Sequence, residues 1–106
     1  MSIELKGRGY VNLHEHSWIA ARKIARELGW IPGEEEAPAD ENRNPGYEYK
    51  VPEHNARSLA RALYRAIHMI EADTLGEPLL ELVKEAEVQN LRAVADLAYS
   101  GTFYID

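Results

Sequence analysis

The chain of 106 residues reads as an α+β domain, a small antiparallel sheet of about three short strands packed against three to four helices. Three observations point there. Apolar residues recur every three or four positions over two long stretches, the pattern of helices with one buried face. Elsewhere tyrosine and valine alternate with polar residues, the period of half-buried strands. The length suits a single domain spanning 1–106 that can bury a core, and with no cysteine it must do so without disulfides.

In chain order, Gly9-Tyr10-Val11-Asn12-Leu13 reads as the first strand, entered through Gly7 and Gly9. A helix follows, for which Asn12 with Glu15 fits an Asn-led capping box and His14 and Ser17 are the other candidate starts. Its apolar face is Trp18, Ala21, Ile24, Ala25 and Leu28; Gly29 supplies a left-handed end, Trp30 folds back over the last turn and Pro32 blocks continuation. Residues 33–46 hold five acids, one base and no large apolar side chain, and read as a mobile acidic surface loop. Tyr47, Tyr49 and Val51 alternate with Glu48 and Lys50 as a second strand.

Pro52 opens a second helix expected to reach Glu71 or Ala72, with Ala56, Leu59, Ala60, Leu63, Ile67 and Ile70 on its core face. Residues 74–78 break it. Periodicity resumes with Leu79, Leu82, Val83 and Ala86, then with Leu91, Val94, Ala95 and Ala98. The two sets point about a quarter-turn apart at ~100° per residue, which predicts a bend or break between Ala86 and Leu91, near Gln89-Asn90. Ser100-Gly101 ends the last helix, and residues 102–105 read as a final strand able to pair with either earlier one.

Several of these signatures coincide with a known pattern. Trp18 on an Ala-rich helix ending Leu28-Gly29-Trp30-Ile31-Pro32, a variable loop, a Tyr-rich strand, the helix Asn55-Ala56-Arg57-Ser58-Leu59-Ala60-Arg61-Ala62-Leu63 and the closing Gly101-Thr102-Phe103-Tyr104-Ile105 together resemble a family of small uncharacterised bacterial and phage proteins. The sequence departs from it at Asn44-Pro45-Gly46, where the family has an Asn-Asp-Gly turn, and at Asn55, where an Asp commonly caps the helix. The resemblance implies a fold and carries over no catalytic residue.

Twelve basic against eighteen acidic residues give a net charge of −6. Polyanions bind mainly through neutralised phosphates, so this balance argues against a nucleic-acid partner. No apolar run approaches the ~18 residues needed to span a bilayer, and the first six residues carry no signal-peptide core, so a cytoplasmic chain with no membrane contact is expected.

Three polar constellations remain. Arg57, Arg61 and Arg65 recur every four residues, with His54 and His68 at the ends of the same stripe, opposite the core face of the second helix. Guanidinium groups recognise phosphate or carboxylate through two parallel hydrogen bonds, so the stripe is the candidate binding surface, weighed against a plain solvated face paired within the chain. Residues 71–87 carry Glu71, Asp73, Glu77, Glu81, Glu85 and Glu87 against a single base, Lys84, and the opposition of this segment to the stripe suggests self-association. His14-Glu15-His16 is the only metal candidate. At a helix start its two rings are expected roughly 200° apart, with no spaced partner to complete a site, which favours exposed or capping histidines.

If tyrosines line the outer face of the sheet, they form a further patch suited to a partner or a flat ligand. There is no phosphate-binding glycine loop, nucleophile elbow or His-Glu-x-x-His. The sequence therefore reads as a non-enzymatic binding protein without a cofactor, acting on another protein or on itself as a homodimer or higher oligomer. The alternatives are capture of a phosphorylated, nucleotide-like small molecule by the Arg stripe and a metal-dependent enzyme built on the His14-Glu15-His16 cluster.

Overall fold

A computed structural model of the chain describes residues 2–31 and 49–106. The acidic loop expected over 33–46 and the first two positions of the strand expected over 47–51 lie outside the described residues. In order, the elements are β1 (Ser2–Lys6), β2 (Tyr10–His14), α1 (Glu15–Glu27), β3 (Tyr49–Val51), α2 (Glu53–Glu71), α3 (Leu79–Ala86), α4 (Val88–Tyr99) and β4 (Phe103–Ile105). They form a four-stranded antiparallel sheet of order β2-β1-β4-β3, packed on helices, as the α+β reading requires.

One strand goes beyond the three expected. Ser2-Ile3-Glu4-Leu5-Lys6 alternates with period two, burying Ile3 and Leu5 while Glu4 and Lys6 face outward. A tight turn at Gly7-Arg8-Gly9 folds it onto β2 with Lys6 opposite Tyr10 and Ile3 opposite Leu13. Glycine is required at the first turn position, because a Cβ on Gly7 would lie 3.0 Å from both the Phe103 Cβ and the Thr102 carbonyl oxygen. The last strand takes an inner place. Leu5 faces Ile105 and Val51 faces Phe103 across β4, so the chain's two ends pair at the centre of the sheet.

Helix α1 starts directly where β2 stops. His14, extended at φ −66° and ψ 146°, is its N-cap, so the Asn12 capping box does not form. At the other end Gly29 (φ +103°) allows the Trp30 N–H to reach the Ala25 carbonyl at 2.9 Å and the Gly29 N–H to reach Arg26 at 3.1 Å. That is the paired-bond helix stop which the Gly29-Trp30 pattern implies. Helix α2 begins after Pro52 and ends the same way, with Asp73 (φ 55°) in the left-handed position and the Thr74 N–H on the Met69 carbonyl at 2.9 Å. Its expected core face is buried from Ala56 to Ile67, whereas Ile70 is only half-buried in the last turn.

The break between α3 and α4 falls at Glu87 (φ 72°, ψ 132°), inside the expected interval between Ala86 and Leu91 and two residues ahead of Gln89. A single residue in this conformation ends one helix and starts the next, which supplies the quarter-turn offset between the two apolar sets. Helix α2 packs chiefly on α4 and also on α1, α1 packs on α3, and α1 and α4 rest against β2. Trp18, Trp30, Phe103, Leu59, Leu63 and Leu91 fill the shared core. Among the described residues no helix is long and apolar enough to cross a membrane.

Candidate functional site

The basic stripe takes its position from an anchor between distant segments. Asn55, buried in the first turn of α2, donates from Nδ2 to the Ile31 carbonyl at 2.8 Å. The Trp30 indole N–H donates back to Asn55 Oδ1 at 3.2 Å and to its backbone carbonyl at 3.3 Å. A buried amide satisfied in this way fixes the exit of α1 against the entry of α2. Arg22 reinforces the junction from α1: its guanidinium is nearly buried, 5.7 Å from the Trp18 ring centre and 5.4 Å from that of Trp30.

On the opposite side of α2, His54, Arg57, Arg61, Arg65 and His68 are all exposed along one stripe, as their spacing implies. Arg57 pairs with Glu53 one turn back at 3.7 Å, a half-exposed pair worth roughly 0–1 kcal/mol. Arg61 and Arg65 make no ion pair among the described residues. They flank a cleft of about 170 Å³ shared with Ser58 and the α1 end at Leu28-Gly29-Trp30. One helical turn apart, about 5.4 Å along the axis, the two guanidinium groups can grip successive carboxylates of another helix, or one phosphoryl group.

The acids of residues 71–87 do not neutralise them. Glu71, Asp73, Glu77, Glu81, Glu85 and Glu87 are all exposed, and the ion pair among them is Glu81 with Lys84 at 3.6 Å. Helix α3 packs on α1 while the stripe looks outward from α2, so the two charged surfaces occupy different faces.

His14 and His16 correct the sequence reading. Their ring centres are 4.0 Å apart, because His14 lies outside the helix as its extended cap and its Nδ1 accepts the His16 N–H at 3.4 Å. Desolvation, then the neighbouring His16, lowers the His14 pKa. No third histidine, cysteine or carboxylate joins them in a metal-holding group among the described residues.

The aromatic residues divide. Trp18, Trp30 and Phe103 are core, whereas Tyr10 and Tyr104 lie on the outer face of the sheet on either side of Lys6. Tyr10 donates to Glu4 at 2.9 Å, and Lys6 pairs with Asp106 at 3.2 Å and Glu4 at 3.6 Å. This ladder consumes its own charges.

Two features were missed from sequence. Asn55 and Arg22 sit within buried helix faces, and each is detectable as a polar residue on an apolar stripe, Arg22 one turn after Trp18 and Asn55 one turn before Leu59. The other is a pair of larger clefts. One, of about 600 Å³, lies between α1 and α3 over Leu79 and Leu82 and is rimmed by Lys23, Arg26, Glu27 and Glu77. The second, of about 410 Å³, lies between the β1–β2 turn and α4. Behind it the Tyr64 hydroxyl donates to Asp96; burial, then that hydrogen bond, pushes the Tyr64 pKa up to about 12.

No protein-family model matches the chain, and neither a curated protein nor a solved structure does. The functional reading rests on the side chains themselves.

Proposed function

We propose that the chain is a small non-enzymatic binding protein that acts through macromolecular contacts and associates with itself, the Arg61–Arg65 face of α2 in one copy receiving the acidic 71–87 segment of another. The observation that carries this reading is the pair of exposed guanidinium groups, Arg61 and Arg65, which have no ion-pair partner among the described residues although the same chain exposes six acids on a different face. Surfaces of opposite sign attract in trans when geometry keeps them apart in cis. Two copies related by a two-fold axis make the contact twice.

Sedimentation velocity of the wild-type chain and of Arg61→Glu/Arg65→Glu tests it. The wild type is expected to associate at low ionic strength and to dissociate as salt shortens the screening length from ~30 Å at 0.01 M to about 3 Å at 1 M. The double reversal is expected to stay monomeric throughout. A wild type that is monomeric at all salt concentrations, or a reversal that associates equally well, removes the proposal.

A second reading is favoured by the cleft beside the same arginines. Its volume of about 170 Å³ is below the ~300–1,000 Å³ of sites that enclose a whole ligand, so it suits a phosphoryl group whose remainder lies outside. Nucleotides at millimolar concentration would then raise the unfolding temperature by mass action, and Arg61→Ala would abolish the rise. The reading of His14-Glu15-His16 as the centre of a metal-dependent enzyme has less behind it, since no group of three or more possible ligands forms among the described residues.

A further inference from the structure

The cleft between the β1–β2 turn and α4 has a chemistry of its own. Its floor is apolar, made by Val11 from β2 and Leu97 from α4; Tyr10 borders it, with its hydroxyl bonded to Glu4 on the outer face of the sheet. One wall carries Arg8, at the tip of the turn and without an ion pair among the described residues. The facing wall carries Asp96. Its Oδ1 accepts the Tyr64 hydroxyl, which holds the carboxylate in one orientation, and the edge-to-face pair of Tyr64 and Tyr99, with centres 6.1 Å apart, backs the same side.

Arg8 and Asp96 line one cleft and yet form no ion pair with each other. A cation and an anion on opposite walls, over an apolar floor, match a ligand with the same three parts. A purely anionic ligand leaves Asp96 opposed, and a purely cationic one leaves Arg8 opposed. A neutral apolar ligand desolvates both charges without replacing their hydrogen bonds. The volume of about 410 Å³ falls within the range of small-molecule sites.

We propose that this cleft binds a zwitterionic α-amino acid with an apolar side chain, its carboxylate on Arg8, its ammonium on Asp96, and its side chain on Val11 and Leu97. The site is separate from the α2 stripe and does not depend on self-association. Its close-fitting base comes from the turn: Gly7 and Gly9 bring the backbone onto Leu97 with no side chain between them, which leaves Arg8 as the one long side chain of the turn above the cleft.

The test is an amide NMR titration of the full chain with L-phenylalanine and L-leucine, each compared with two truncated analogues of L-phenylalanine, phenethylamine without the carboxylate and 3-phenylpropanoate without the ammonium. The expected result is saturable shifts centred on Arg8, Ala93 and Asp96 for the amino acids. Each analogue should bind at least about tenfold more weakly, because each leaves one charge on the protein without its partner. Arg8→Ala and Asp96→Asn should each cause the same loss; the asparagine keeps an oxygen for the Tyr64 hydroxyl, so the fold is preserved. Ala93→Trp should fill the cleft and abolish the shifts. No saturable response to either amino acid overturns the proposal, as does binding of both analogues as tightly as L-phenylalanine, which would mean an apolar groove that ignores charge.

Discussion

Replacing Asn55 by alanine removes both side-chain bonds that join the exit of α1 to the first turn of α2. The Ile31 carbonyl loses its 2.8 Å donor outright, while the Trp30 N–H loses the 3.2 Å side-chain acceptor and keeps the 3.3 Å bond to the Asn55 backbone carbonyl. Counting about 1 kcal/mol for each bond, with little solvent to replace them at this nearly buried position, the expected cost is about 2 kcal/mol. For a domain of this size that is a fall of about 10 °C in Tm. Urea unfolding followed by circular dichroism measures it, with tryptophan fluorescence reporting on Trp30.

Asn55→Asp refines the test. It retains an acceptor for Trp30 but turns a carboxylate oxygen toward the Ile31 carbonyl, so it should cost as much as alanine at neutral pH. Below about pH 4 the protonated carboxyl can donate to that carbonyl, and stability should partly return relative to Asn55→Ala at the same pH. An alanine variant within about 0.5 kcal/mol of wild type would refute the anchor, because that is the scatter of ordinary surface substitutions.

Other expectations follow from single contacts. Trp30→Phe should cost more than Trp18→Phe, since the Trp30 indole N–H is hydrogen-bonded whereas the buried Trp18 Nε1 has no partner to lose; equal costs would contradict this. Gly7→Ala forces a methyl group against Phe103 and the Thr102 carbonyl and should destabilise by about 1–3 kcal/mol, and an unchanged unfolding midpoint would show that the turn gives way. In an ultraviolet titration one tyrosine should ionise about two pH units late and vanish from the curve in Tyr64→Phe. The folded state then holds that proton more tightly than the unfolded chain, so stability is full below pH 10 and is lost as pH rises toward 12. For His14 the sign is opposite. Its folded pKa lies below the ordinary histidine value of 6.5, so the unfolded chain binds more protons in the window beneath 6.5 and stability falls as pH drops through it. Protonation also occupies the Nδ1 that accepts the His16 N–H. His14→Asn, a cap that does not titrate, should flatten that part of the pH profile, and an unaltered slope would dismiss the cap.

Local signals in the sequence carried most of the fold. The ends of α1 and α2 are written in single residues, Gly29 and Pro52, and the periodicity of apolar residues places their buried faces. Strand β1 went unread, because the alternation of Ile3 and Leu5 with Glu4 and Lys6 spans only five residues and gains its meaning from the hairpin that pairs it. The α3–α4 break falls within the interval the apolar pattern marks out, but its exact residue was not legible, because a glutamate has no preference of its own for φ 72°.

Of the candidate site, exposure of the α2 stripe follows directly from four-residue spacing. That Arg61 and Arg65 have no acidic partner among the described residues does not, since it depends on how helices pack rather than on what they contain. The His14–His16 contact eluded a helical-wheel argument because a cap residue lies off the wheel. Likewise, Arg8 and Asp96 are 88 positions apart, and only the packing of the β1–β2 turn on Leu97 brings them to one cleft.

The most direct measurement of the central claim uses two variants, Arg61→Glu/Arg65→Glu and Glu81→Lys/Glu85→Lys, run in sedimentation velocity alone and as an equimolar mixture at low salt. Each variant alone sets like charges against each other across the proposed contact, whereas the mixture restores opposite charges at both of its copies. Monomers separately and a complex on mixing are the expected result. Two variants that each associate as the wild type does, or a mixture that remains monomeric while the wild type associates, would contradict it.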